Sequence, residues 1–181
     1  GNEPSLLTVF YRETVQNKGK FVSVSEGVFD VYKSGYRKLF DSDRIKISQA
    51  RKSRYISPKD RVMFKLQGGP YNIFRLDVVK YPGEILSQDV FENYDYEVKG
   101  VIPINDRNTY IISFEQKPHA EIPIYEGNIF IDSETRAIAA MEFSMTETGV
   151  KKASDFLIIK QPLNMNVSVL SADYKVNYNY I

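Results

Sequence analysis

Few side chains in this sequence could do chemistry, and none stands with the partners that chemistry requires. His119 is the lone histidine and cysteine is absent, which removes histidine-rich and thiolate metal centres, disulfides and thiol nucleophiles. A general base needs a partner and a pocket. His119 follows Pro118 in a loop, two residues before Glu121, and reads as a surface residue. Carboxylates occur in pairs at Asp41 and Asp43, Asp95 and Glu97, and Asp132 and Glu134, a theme that glycoside hydrolysis uses across a cleft. The first and last pairs fall in turns, where Asp accepts from local backbone donors. Alternation turns Asp95 and Glu97 away from Tyr94 and Tyr96, toward water. No Gly-x-Ser-x-Gly elbow is present, and Gly68-Gly69-Pro70 lacks the Lys-Ser/Thr of a phosphate loop. These residues predict a protein that is not an enzyme and uses no metal and no cofactor.

Charge offers a second route to function. The net charge is +1, but Lys33 to Lys65 holds 11 Lys and Arg against three Asp. Such a block could meet phosphates or an anionic surface. Arg44, Lys46, Lys52 and Arg54 share the even positions of one predicted strand, the pattern of a wet sheet face. That face carries no aromatic on which bases would stack, so nucleic acid is not expected as a partner. No run approaches the roughly 20 apolar residues that cross a bilayer, and the chain is not expected to be transmembrane. No signal segment is recognisable at its start.

The elements that must position any site read mainly as strands. Lys20–Ser34 and Ser42–Tyr55 alternate apolar and polar residues and are expected to pair antiparallel, with Ile45 and Ile47 inward and a bulge at Gly27. Asp89–Ile102, Thr109–Gln116, Ile122–Asp132, Arg136–Thr146 and Val167–Ile181 continue the pattern. Turns are expected at Asn105-Asp106-Arg107-Asn108 and at Ser133-Glu134-Thr135. Helices are expected over Asn2–Gln16, where Leu6, Leu7, Phe10 and Tyr11 make an apolar stripe, over Pro58–Leu66, from Pro70 through Val78, and over Lys151–Gln161. The segment Val62–Leu66 fits a strand equally well. The last strand stops in mid-pattern, which predicts a chain that continues beyond Ile181 in a longer protein.

At 181 residues the chain fits one domain with one core. The expected class is α+β: a strongly curved antiparallel sheet of about seven strands, an unclosed half-barrel, with helices across its concave face. Tyr94, Tyr96, Val98, Ile129, Ile131, Met141 and Phe143, with Ala137 and Ala139, are the candidates to line that face. They form either an ordinary core or an apolar cleft. Leu6, Leu7 and Phe10 would then act as plug or lid.

Several segments look familiar when read together. Phe10-Tyr11-Arg12-Glu13, Glu26-Gly27-Val28-Phe29-Asp30-Val31-Tyr32-Lys33, Arg51-Lys52-Ser53-Arg54, Gly68-Gly69-Pro70 and Leu76-Asp77-Val78-Val79-Lys80 are among them. Tyr125-Glu126-Gly127-Asn128-Ile129-Phe130-Ile131-Asp132 and Ala172-Asp173-Tyr174-Lys175-Val176-Asn177-Tyr178 complete the set. They resemble the region that follows the carboxypeptidase-regulatory-like domain in exported proteins of Bacteroides-type bacteria. The expected layout is also similar to the lipoprotein-carrier (LolA/LolB-like) fold. These resemblances imply an extracytoplasmic protein, in the periplasm or facing the outer membrane. They imply a non-catalytic envelope binding module that shelters a lipid, another apolar ligand or a segment of an envelope protein. The alternative is a structural or interaction domain of a larger cell-surface protein, with no small-molecule ligand.

Overall fold

In a computed structural model the described residues are 3–17, 19–35, 43–53, 65–66, 68–118, 120, 125–161, 163 and 166–178. Ten strands and four helices follow one another among them. Strands β1 (Ser5–Asn17), β2 (Lys20–Lys33) and β3 (Arg44–Lys52) form one antiparallel sheet in that order. β5 (Tyr94–Ile104), β6 (Arg107–Gln116), β7 (Tyr125–Asp132), β8 (Ile138–Met145) and β10 (Asp173–Asn177) form a five-stranded antiparallel meander. β4 (Lys65–Leu66) pairs with β9 (Ile158–Lys160). The helices are α1 (Pro70–Phe74), α2 (Gly83–Leu86), α3 (Gln88–Phe91) and α4 (Glu147–Leu157).

The expected α+β half-barrel is thus overturned. The chain is mostly β, its strands divide between separate sheets that do not close, and three of its four helices are only four or five residues long. Alternation marks each strand but carries no information on which strands share a sheet. The turn-rich stretch between β3 and β5 separates two sets of strands that the pattern alone would merge.

The helix expected over Asn2–Gln16 is corrected to strand over Ser5–Asn17, and Leu6, Leu7 and Phe10 lie in β1. Its doublets Leu6-Leu7 and Phe10-Tyr11 satisfy a helical stripe, but they equally give each strand face one apolar residue. Thr8, Val9, Thr14 and Val15 are β-branched and settle the choice, because their stiff χ1 fits a pleated strand better than a helix. The Pro58–Leu66 helix falls mostly outside the described residues, and Lys65–Leu66 is strand. The segment that begins at Pro70 is helical only to Phe74, and the start of the expected Asp89–Ile102 strand is helical to Phe91. α4 begins four residues before the expected Lys151, because the Thr146 hydroxyl caps it by accepting from the Gly149 N–H at 3.1 Å. It stops at Leu157, where Ile158 and Ile159 favour extended backbone.

Sheet register is broken at defined points. Val28 pairs with Gln49 but Phe29 with Ile47, so Ser48 is the extra residue of a bulge. The bulge sits one position from the expected Gly27 and on the neighbouring strand. Gly27 instead makes room for an aromatic ring, since a Cβ there would lie 2.6 Å from the ring of Phe29. That ring covers the glycine and meets Tyr11 edge-on at 6.0 Å. Because the bulge reverses facing beyond Ser48, Arg51 joins Arg44 and Lys46 on one face, while Lys52 turns to the other. Ile47 is exposed despite its inward parity. The β5–β6 turn is tighter than expected: Ile104 pairs with Arg107 across Asn105 and Asp106, whose φ values are 50° and 60°. Two left-handed residues make the primed turn whose twist matches a hairpin. The Ser133-Glu134-Thr135 turn falls where expected.

Gly127 faces Phe143 on β8 and Phe114 on β6. A Cβ there would meet the Glu142 carbonyl oxygen at 2.2 Å and the Phe143 Cα at 2.6 Å. Backbone cannot yield as a side chain can, so Gly127→Ala should destabilise the fold by at least about 1–3 kcal/mol. The shift in urea midpoint measures this. An unchanged midpoint would mean that β7 and β8 are not so closely apposed.

Candidate functional site

The residues expected to line a cleft are mostly brought together, but as a packed cluster. Tyr94, Ile129, Met141 and Phe143 are buried with Phe114, Val78 and Ile85, and Tyr96 and Ile131 pack against them. Phe114 and Met141 are 0% exposed. Aromatic contacts tie the strands: Tyr94 meets Phe114 edge-on at 5.3 Å, and Phe143 stacks on Tyr174 at 5.0 Å. Val78 and Ile85, from the turns and short helices that follow α1, fill the position a guest would take. Val98 stands apart at 64% exposure, beside the β5 bulge at Lys99. Leu6 and Phe10 are about 60% exposed on β1, away from the cluster, and Leu7 is half-buried on the opposite strand face.

Ionic and hydroxyl side chains distant from one another in the sequence form a second centre. Lys80 is wholly enclosed and pairs with Asp43. Its amine also donates to the Ser34 carbonyl at 2.9 Å and the Ser34 hydroxyl at 2.8 Å. All three N–H groups of the ammonium therefore have acceptors. Asp43 accepts further from the Ser34 N–H and the Tyr81 hydroxyl, each at 3.0 Å. Burial pushes the Asp43 carboxyl up, yet the hydrogen bonds from Lys80, Ser34 and Tyr81 and the Lys80 charge outweigh it and hold the carboxyl low. The Tyr81 phenol is pushed up to about 12 by burial and by Asp43. Beside this group, Lys33 pairs with Asp77, which also accepts from the Tyr178 hydroxyl at 3.0 Å.

The geography of these residues explains their role. Lys33 ends β2, Ser34 follows it, and Asp43 precedes β3. Asp77, Lys80 and Tyr81 follow α1, and Tyr178 follows β10. The cluster joins the three-stranded sheet to the meander through the intervening turns. Its donors and acceptors satisfy one another, and the Lys80 amine has no open side from which to attack a substrate. The arrangement is a structural joint. Asp43 was marked as one of a carboxylate pair whose other member, Asp41, lies outside the described residues, and Lys33, Asp77, Lys80 and Tyr178 stood in the segments quoted for the resemblance, with no sign that they would meet. Members in direct contact are separated by up to 101 positions, a distance no local motif spans.

The remaining carboxylates behave as turn and surface groups. Asp132 is buried and accepts from Arg107, from the Glu134 and Thr135 N–H groups and from the Thr135 hydroxyl. The Arg107 guanidinium, then these turn donors, hold its carboxyl far below the usual range. Asp95 and Glu97 point to water beside Lys117 and Lys99. His119 and Glu121 lie outside the described residues. On the outer face of the three-stranded sheet, Glu26 is buried between Arg12 at 2.6 Å and Arg51 at 2.5 Å, which lower its pKa. Arg44 and Lys46 are exposed on the same face; Arg54 lies outside the described residues. No helix among the described residues is long and apolar enough to cross a membrane.

Removing one partner of an enclosed ion pair strands the other charge. Lys80→Met should therefore lower the unfolding free energy by about 3–5 kcal/mol. Adding Asp43→Leu should return part of the loss, and a double-mutant cycle in urea reads the coupling. Purely additive losses would show that the two residues do not share one joint. Asp43, Glu26 and Asp132 each have a lowered folded pKa. The unfolded chain therefore binds protons that the folded one refuses, and the contribution of these three carboxyls should be constant above about pH 5 and fall steadily below about pH 4. Asp132→Asn should flatten that acid limb in urea titrations, and an unchanged slope would remove Asp132 from the account.

Comparison with protein-family models, with curated proteins and with solved structures returns no match. The resemblance to the region after the carboxypeptidase-regulatory-like domain rests on the residues alone, and the lipoprotein-carrier analogy loses the α+β layout on which it was drawn.

Proposed function

We propose that this chain is a non-catalytic structural or interaction domain of a larger cell-surface protein. The observation that carries this role is the filling of the expected cleft by the chain's own side chains. Met141 and Phe114 are fully enclosed, and Val78 and Ile85 close over the same cluster. A lipid would have to displace packed residues, each worth about 1.5–3 kcal/mol of burial. A non-catalytic role is supported by the joint at Lys80, where every polar group is committed to another within the protein. Placement outside the cytoplasm, and an envelope protein as partner, rest on the motif resemblance described above.

One atom favours the carrier role instead. The Tyr96 hydroxyl is buried and has no hydrogen-bond partner among the described residues, although its ring stacks on Phe91 at 4.3 Å. Such an orphan costs roughly 1–3 kcal/mol, which a ligand acceptor could recover. Two measurements separate the roles. A scaffold predicts that the native mass spectrum shows protein alone, and that Tyr96→Phe is neutral or stabilising by up to about 1 kcal/mol. A retained apolar adduct that disappears in Tyr96→Phe would overturn the scaffold and restore the carrier.

A further inference from the structure

We propose that β1 is a self-association edge, along which two copies of this chain pair antiparallel about Tyr11 and join their three-stranded sheets into one. This does not depend on whether the core holds a ligand.

An unpaired edge strand is a ready template for another strand, and proteins guard such edges with Lys, Pro, bulges or shortness. Three of the four end strands of the two large sheets are guarded in this way. β3 carries Arg44, Lys46, Arg51 and Lys52 and the Ser48 bulge. β5 carries Asp95, Glu97 and Lys99, a bulge at Lys99 and Pro103. β10 is five residues long and contains Asp173 and Lys175.

β1 is the least protected of the four: it carries only Arg12 and Glu13 as charges, and the register break in its ladder, between Val15 and Gln16, places the extra residue on β2. It runs for 13 residues without Pro or Lys. Its two charged side chains are engaged inside the protomer: Arg12 with Glu26, and Glu13 as acceptor of the Tyr11 hydroxyl at 2.7 Å. On its outer side no strand pairs with it among the described residues. Leu6 and Phe10 remain exposed.

The sequence of β1 also fits itself. About a twofold axis at Tyr11, Leu6 faces Gln16, Leu7 faces Val15, Thr8 faces Thr14, Val9 faces Glu13 and Phe10 faces Arg12. Each pair spans an even number of positions, so each strand face stays continuous across the junction. Leu7 with Val15 extends the inner apolar face. Thr8 with Thr14 is a favourable cross-strand pair. Arg12 already lies 5.6 Å from the Phe10 ring of its own chain, and the partner's Phe10 would approach the same guanidinium. A closed twofold junction of this kind is self-limiting.

The chain has no cysteine, so introduced thiols report without background. Thr8 and Thr14 are both exposed, which makes Thr8→Cys and Thr14→Cys tolerable. Opposed residues in an antiparallel pair lie about 4.5–5.5 Å apart at Cα, within disulfide reach. Like residues of the two copies would lie about 20 Å apart. Mild oxidation of the double variant should give covalent dimer as the main product. A mixture of the two single variants should give the mixed dimer, and neither alone should cross-link. Phe10→Lys in the double-cysteine background should cut the yield about tenfold while the far-UV spectrum stays unchanged. Equal cross-linking by each single variant would overturn the register. Failure of the folded double variant to cross-link, with monomer only in sedimentation at high concentration, would overturn the pairing itself.

Discussion

The enclosed pair of Lys80 and Asp43 is the constraint on which the architecture depends. An ammonium and a carboxylate out of water are tolerable only when every donor and acceptor is met. Ser34 and Tyr81 meet them, and Lys33, Asp77 and Tyr178 complete the neighbouring group. These residues come from β2, from the approach to β3, from the turns after α1 and from the exit of β10. Their mutual satisfaction fixes the geometry between two sheets that share no strand. Apolar contacts alone tolerate sliding, whereas hydrogen-bonded charges accept few arrangements.

Much of the local structure was legible in the sequence because it is local. Alternation located β2, β3, β6 and the β7–β8 hairpin, and the polar run Asn105-Asp106-Arg107-Asn108 marked a turn that the structure confines to its first two residues. What failed was set by context. Leu6, Leu7, Phe10 and Tyr11 fit both periodicities, and the β-branched Thr8, Val9, Thr14 and Val15 together with the pairing with β2 decide between them. The division of the strands into separate sheets depends on the stretch between β3 and β5, whose short helices have no strong periodic signature. The Ser48 bulge moves Lys52 off the face assigned to it, and nothing in the residue types announces that shift.

The candidate site was legible in membership but not in state. Tyr94, Ile129, Met141 and Phe143 were found together, as the inward parity of their strands requires. Whether they enclose a hollow or one another depends on Val78 and Ile85, which reach them from outside the sheet. The ionic joint was almost invisible as an assembly, since Lys33, Asp77, Lys80 and Tyr178 lie in separate segments and share no spacing with Ser34, Asp43 and Tyr81. Burial and complementary charge assemble them only after the chain has folded.

The Tyr178–Asp77 contact also sets where chain entropy is lost. Strands β5 to β8 neighbour one another in sequence, so each pairing in the meander closes a short loop. Joining Asp77 to Tyr178 closes a segment of 101 positions. The closure penalty grows only logarithmically with length, and the polar contact meets it together with the apolar cluster that Val78 shares with Met141 and Phe143. The joint therefore acts as the clasp of the molecule, and its strength decides whether the two sheets behave as one cooperative body.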